Sequence, residues 1–238
     1  MQSLYYSILI WAYTYGGLLL PFATAGLGAC ILATKEKYTK WLGAWFLSIG
    51  LCYFVQHLYN MLPRYVGVKT IIALSFPKSC VAAALTVLAL ISVFLYAKFR
   101  YEAKGLLAVI LLILAKPIVI VPLILNQGSI INSASSASVF SNLTSFLSAL
   151  PGIAIWIMLV LIYRKNRDKE DNMGALWTHP LCVLFFEIFF EIFNLVGVFG
   201  GETSFLLSMH VTIANYVMLT AYAAYVFARA PKKTEKAS

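Results

Sequence analysis

The feature that most constrains this chain is the length of its apolar stretches. A helix rises about 1.5 Å per residue, so about 20 apolar residues cross the ~30 Å hydrocarbon core of a bilayer. Seven stretches meet or approach that length: Ser7–Ala33, Trp41–Leu62, Thr70–Ala97, Gly105–Leu125, Phe146–Tyr163, Trp177–Phe199 and Phe205–Phe227. Apolar residues make up 61% of the chain and charged residues 11%, against about 25% charged in soluble domains. A soluble fold of this size has no way to hide so much apolar surface. The chain reads as all-α, an integral membrane bundle of seven transmembrane helices over residues 1–230, followed by a short basic tail at 231–238.

The basic residues orient the bundle. Lys35, Lys37 and Lys40 follow the first segment, and Lys98, Arg100 and Lys104 follow the third. Arg164, Lys165, Arg167 and Lys169 follow the fifth, and Arg229, Lys232, Lys233 and Lys236 follow the seventh. Fourteen of the eighteen basic residues therefore share one side, while the opposite connections hold Arg64 and Lys69. The positive-inside rule makes the rich side cytoplasmic, with the N-terminus outside and the C-terminus in the cytoplasm, in the plasma membrane. The same distribution argues against nucleic acid as the partner of the net charge of +9. The first basic residue is Lys35, so the basic start of a signal peptide is missing and the first segment reads as a retained helix. The lipid bilayer is the expected partner throughout, and the tail is expected to touch anionic headgroups.

Four ionisable residues break the apolar pattern. Lys116 lies about eleven residues above the inner end of the fourth segment, roughly 16 Å deep, and Glu187 lies roughly 15 Å into the sixth. Glu191 is one turn further out. Lys78 lies roughly 12 Å below the outer surface in the third segment, near the level of Glu191. A charge at the bilayer centre costs ~2.5–3.5 kcal/mol on insertion scales, so these groups are expected to face inward and pair, Lys116 with Glu187 and Lys78 with Glu191. Asn194 extends the stripe of Glu187 and Glu191 at i, i+4 and i+7. Gln56, His57 and Asn60 add polar groups near the outer end of the second segment. Ser208, Thr212 and Asn215, with His210, do so in the seventh. The candidate ligand-binding or proton-relay set is thus Lys116, Glu187, Glu191, Lys78, His57, Asn194, His210 and Asn215. The plain alternative is that such residues only hold helices together.

Other chemistry finds little support. HExxH, GxSxG and P-loop patterns are missing, so the chain is not read as an enzyme. Cys30, Cys52, Cys80 and Cys182 stand singly in apolar segments, without zinc-ligand spacing, and read as small buried apolar residues. A haem between His57 and His210 is conceivable from their depth, but no cofactor and no metal is expected. The topology resembles that of microbial rhodopsins and seven-helix receptors. A retinal protein carries its Schiff-base lysine in the last helix, and the seventh segment has none. Small sugar transporters built as three-plus-one-plus-three helices share the orientation, but their Pro-Gln signatures are missing. The leading expectation is a bundle that binds or transports a small polar or zwitterionic ligand. A sensory receptor acting through a membrane partner, and a structural or accessory subunit, are the alternatives.

The orientation has a direct test. A reporter fused after Ser238 is expected to be cytoplasmic and one inserted near Ser135 external. Labelling of the Ser238 fusion from outside intact cells overturns both the orientation and the helix count.

Overall fold

The computed structural model describes residues 2–34, 39–101 and 201–229. These form α1 (Gln2–Trp11), a five-residue π-helical turn at Ala12–Gly16, α2 (Gly17–Leu32), α3 (Thr39–Met61) ending in a 3-10 turn at Leu62–Arg64, α4 (Val68–Tyr101) and α5 (Gly201–Arg229). The described residues are helical apart from short connections. Four stretches are long and apolar enough to cross a membrane: Leu4–Leu32, Thr39–Arg64, Phe76–Tyr96 and Met209–Ala228. They coincide with the first, second, third and seventh apolar segments. The fourth, fifth and sixth segments, with Lys116, Glu187, Glu191 and Asn194, lie outside the described residues.

The chain divides into two compact units, one of residues 1–103 and 216–238 and the other of residues 104–215. Within the first unit, α2 packs against α3 and α3 against α4. The pairing is antiparallel in both cases. Gly28 meets Gly43 and Pro21 meets Gly50 across the α2–α3 contact. Cys52 meets Thr86 and Tyr59 meets Lys78 across the α3–α4 contact. The last part of α5 runs antiparallel to α3, since Tyr53 pairs with Tyr216 and Phe46 with Tyr222. This alternation places Lys40, Lys98 and Arg229 at one end of the unit and Arg64 and Lys69 at the other. Trp41 stacks on Phe99 at the basic end, ring centroids 6.1 Å apart and planes 7° from parallel. Trp45, Phe46, Phe94, Ile31 and Leu219 are fully buried and form the interior of the packing.

Apolar side chains gain little by leaving lipid for one another, so close backbone approach matters more here than in water. The α2–α3 contact is built for it. A Cβ at Gly43 would lie 2.6 Å from the Leu32 backbone nitrogen and 2.9 Å from the Gly28 carbonyl. One at Gly50 would lie 2.7 Å from both the Ala25 nitrogen and the Pro21 carbonyl. Hydroxyls add a polar tie between α2 and α5. The Thr24 and Thr220 hydroxyl oxygens lie 2.9 Å apart, and both are within hydrogen-bond distance of the Leu20 carbonyl, at 2.9 and 3.1 Å, so their two protons are shared among these acceptors and the Tyr216 carbonyl.

Three details differ from the sequence reading. The first helix begins five residues earlier, at Gln2, and carries a π turn at Ala12–Gly16 that the apolar pattern does not announce. Pro21 and Pro77 sit inside continuous helices. Of the cysteines expected to be buried, Cys52 is, but Cys30 and Cys80 are exposed, because an apolar side chain is as well accommodated by lipid as by the core.

Replacing Gly50 with Ala forces a methyl group into the α2 backbone. The expected cost is ~1–3 kcal/mol, read as a lowered melting temperature of the purified protein in detergent. Gly26→Ala adds a methyl group where nothing lies within 4 Å and is expected to melt like the parent. Equal melting of the two variants contradicts the close approach.

Candidate functional site

Two polar features stand in the first unit, on different faces of α3. The first runs along the α3–α4 contact. Cys52, Gln56 and Tyr59 recur at helical spacing on α3, opposite Thr86, Ala82 and Lys78 on α4. The Gln56 amide donates to Cys52 Sγ at 3.5 Å. Cys52 Sγ lies 3.6 Å from the Ala82 carbonyl and 3.5 Å from Thr86 Oγ1, and Thr86 donates to the same carbonyl at 2.8 Å. Towards the Arg64 end, the seam terminates in the half-buried Lys78, whose ammonium stands 5.0 Å above the centre of the Tyr59 ring. An aromatic face partly compensates a cation for lost water, which keeps Lys78 tolerable in an apolar setting. Its expected partner Glu191 lies outside the described residues.

The second feature surrounds His57. Its side chain is 2% exposed. The imidazole packs against Gly17, where a Cβ would collide with Cε1, Nε2 and Nδ1 of the ring. Tyr13 meets it edge-on at 4.8 Å between centroids, and Tyr216 meets it at 6.4 Å. Tyr13 belongs to the π turn, so the imidazole packs against that turn. A π turn replaces i→i−4 bonding with i→i−5 and so exposes carbonyls that a regular helix would occupy. Nε2 of His57 and Oγ1 of Thr14 are both buried without a hydrogen-bond partner. Each such group carries a desolvation penalty of about 1–3 kcal/mol.

Of the sequence-predicted set, His57 and Lys78 therefore fall in the first unit, His57 on one face of α3 and Lys78, in α4, against another. His210 is exposed and Asn215 buried, and both belong to the second unit. Gln56 is half-buried on the Lys78 side, while Asn60, expected to join the polar group, is exposed. Residues missed by sequence reasoning are Tyr13, Thr14 and Gly17 around His57, and Cys52, Tyr59 and Thr86 beside Lys78. The Gly16-Gly17 pair in the middle of an apolar segment was the available signal for the first group. The i, i+4, i+7 spacing of Cys52, Gln56 and Tyr59 was the signal for the second.

Among the described residues no group of three or more His, Cys, Asp or Glu is placed to hold a metal ion. The arrangement instead offers one cation and one imidazole, reached by different helix contacts and suited to polar recognition or proton exchange. No protein-family model, curated protein or solved structure matches this chain, so its function is argued from these residues alone.

Proposed function

We propose that the protein is a seven-helix bundle of the plasma membrane, with its N-terminus outside, that binds or transports a small polar or zwitterionic ligand through an outward-facing cavity. Lys78 carries the reading. A half-buried ammonium in a membrane-spanning helix is costly, and its seam of polar neighbours leads inward from the Arg64 end. A ligand carboxylate or phosphate complements Lys78. By their depth counted along the sequence, Lys116, Glu187 and Glu191, with Asn194, His210 and Asn215, are the further polar groups expected to serve a ligand. A zwitterion matches such a site in both signs of charge and leaves no net charge in the membrane.

Thermal unfolding of the purified full-length protein against a panel of amino acids and betaines tests the reading. Stabilisation follows mass action and reaches ~2.7 kcal/mol at a hundred times Kd. A binding zwitterion is expected to raise the melting temperature by several degrees, and Lys78→Met is expected to abolish the rise. Uptake into reconstituted vesicles then separates a transporter from a receptor. For the buried charges, Glu187→Gln alone leaves Lys116 unpaired and is expected to destabilise by ~3–5 kcal/mol. Lys116→Met combined with Glu187→Gln is expected to restore folding yet lose the ligand response. A stable double variant with full ligand response across pH removes this group from the site.

A further inference from the structure

Hydroxyl groups inside these helices have a usual outlet. Thr86 and Ser92 donate to the carbonyls of Ala82 and Leu88, four residues back, at 2.8 and 2.7 Å. Such a bond spares a short polar side chain from standing unsatisfied in an apolar setting. Thr14 departs from this pattern. It lies in the π turn, where backbone bonds run i→i−5, and its Oγ1 is buried without a partner. Nε2 of His57 is a second such atom. The two belong to one place, because His57 packs against residues on either side of Thr14 in the same stretch of helix. Tyr13 meets the imidazole at 4.8 Å between ring centroids, and a Cβ at Gly17 would collide with Nε2. Proline chemistry adds a third polar group. Pro21 is four residues beyond Gly17 and has no N–H, so the Gly17 carbonyl lacks its usual helical donor. Thr14 is 7% and His57 2% exposed, so bulk water does not serve either side chain.

We propose that Thr14 Oγ1, His57 Nε2 and the Gly17 carbonyl hold one buried water molecule. Buried waters typically make about three hydrogen bonds, to groups the protein itself leaves unsatisfied. Ordered water is also one of the means by which backbone groups freed by proline are satisfied at membrane depth. The three groups suit water in their count of donors and acceptors. The Gly17 oxygen accepts one of its protons, and the Thr14 hydroxyl gives a hydrogen bond to it or takes one from it. The imidazole stays neutral. Water serves either of its tautomers, donating to a bare Nε2 or accepting from an Nε2–H. An apolar occupant would leave all three groups unsatisfied, and an ion would bring a charge that Gly17 and the rings of Tyr13 and Tyr216 do not neutralise. The water stands in for the N–H that Pro21 lacks, and through His57 it ties the irregular part of the first span to α3.

The water site goes beyond the ligand reading and is tested without ligand. X-ray radiolysis makes hydroxyl radicals from water in place, so side chains beside a bound water are oxidised and dry ones are spared. The full-length protein in phosphatidylcholine nanodiscs is irradiated in short pulses, digested and read by mass spectrometry. Oxidation of His57 is expected well above that of Trp45, which is 1% exposed and whose indole is the more readily oxidised ring. Thr14→Val conserves shape, removes one partner of the water and is expected to bring His57 down to the level of Trp45. Thr14→Ser keeps the hydroxyl and is expected to label like the parent, with melting temperatures reporting that both variants fold. A parent His57 as unreactive as Trp45 overturns the proposal, because the pocket is then dry, and this contrast decides even where Thr14→Val fails to fold. Labelling of His57 that survives in folded Thr14→Val also overturns it, because the hydroxyl then holds no water there. If His57 labels as described while no zwitterion stabilises the protein, the ligand reading fails and the water site stands.

Discussion

Everything described in the first unit depends on the near-contact of two backbones where α2 crosses α3. In water, apolar side chains would drive such a pair together. In lipid that drive is largely absent, and dispersion contacts between closely fitted surfaces take over. These contacts fall off steeply with distance, so a gap of 0.5–1 Å already forfeits a quarter to a half of the well. Gly28, Gly43 and Gly50 remove the atoms that would open such a gap. Large aromatic side chains then close the flanks, Trp45 and Phe46 from α3 and Tyr222 from α5.

The same register delivers His57 to Gly17. The steps along α2 run from Gly28 to Pro21 to Gly17, while those along α3 run from Gly43 to Gly50 to His57. Small residues at the first two steps bring the helices together. At the third step the partner is a ring, and the absent side chain at Gly17 becomes a seat instead of a contact point. The π turn ends just before that seat and Pro21 stands one turn beyond it. Proline has no N–H to give the Gly17 carbonyl. Irregular hydrogen bonding thus flanks the buried histidine on both sides along one helix. Irregular backbone is tolerated at membrane depth where protein covers it.

Hydropathy and length were enough to place the four described spans to within a few residues, because the bilayer imposes one thickness on every crossing. The alternation of basic connections was equally legible, and Lys40, Lys98 and Arg229 do share one end of the unit. The depth of His57 and Lys78 could be counted from the helix ends. Their separation on opposite sides of α3 could not, since neighbours in depth need not share a face. His57 and Gln56 differ by 100° of helical rotation, and that step divides the two polar features. The π turn was illegible because an inserted residue leaves no mark in an apolar pattern. The exposure of Cys30 and Cys80 was illegible for a related reason. In lipid the outside of a bundle is as apolar as the inside, so hydropathy carries no moment that points to the core.

The hydroxyl pair of Thr24 and Thr220 joins residues 196 positions apart. Ribosomes add about 5–20 residues per second, so roughly 10–40 s separate the appearance of the two threonines. During that interval α2, α3 and α4 are already available to the membrane while the α5 surface they receive has not been made. Tyr53 and Phe46 must wait for Tyr216 and Tyr222 in the same way. The early helices therefore assemble around a place kept for the last one, and a ribosome that stalls before α5 leaves Thr24 and the flank of α3 facing lipid. Such an unfinished bundle presents membrane quality control with a polar groove that the completed chain conceals.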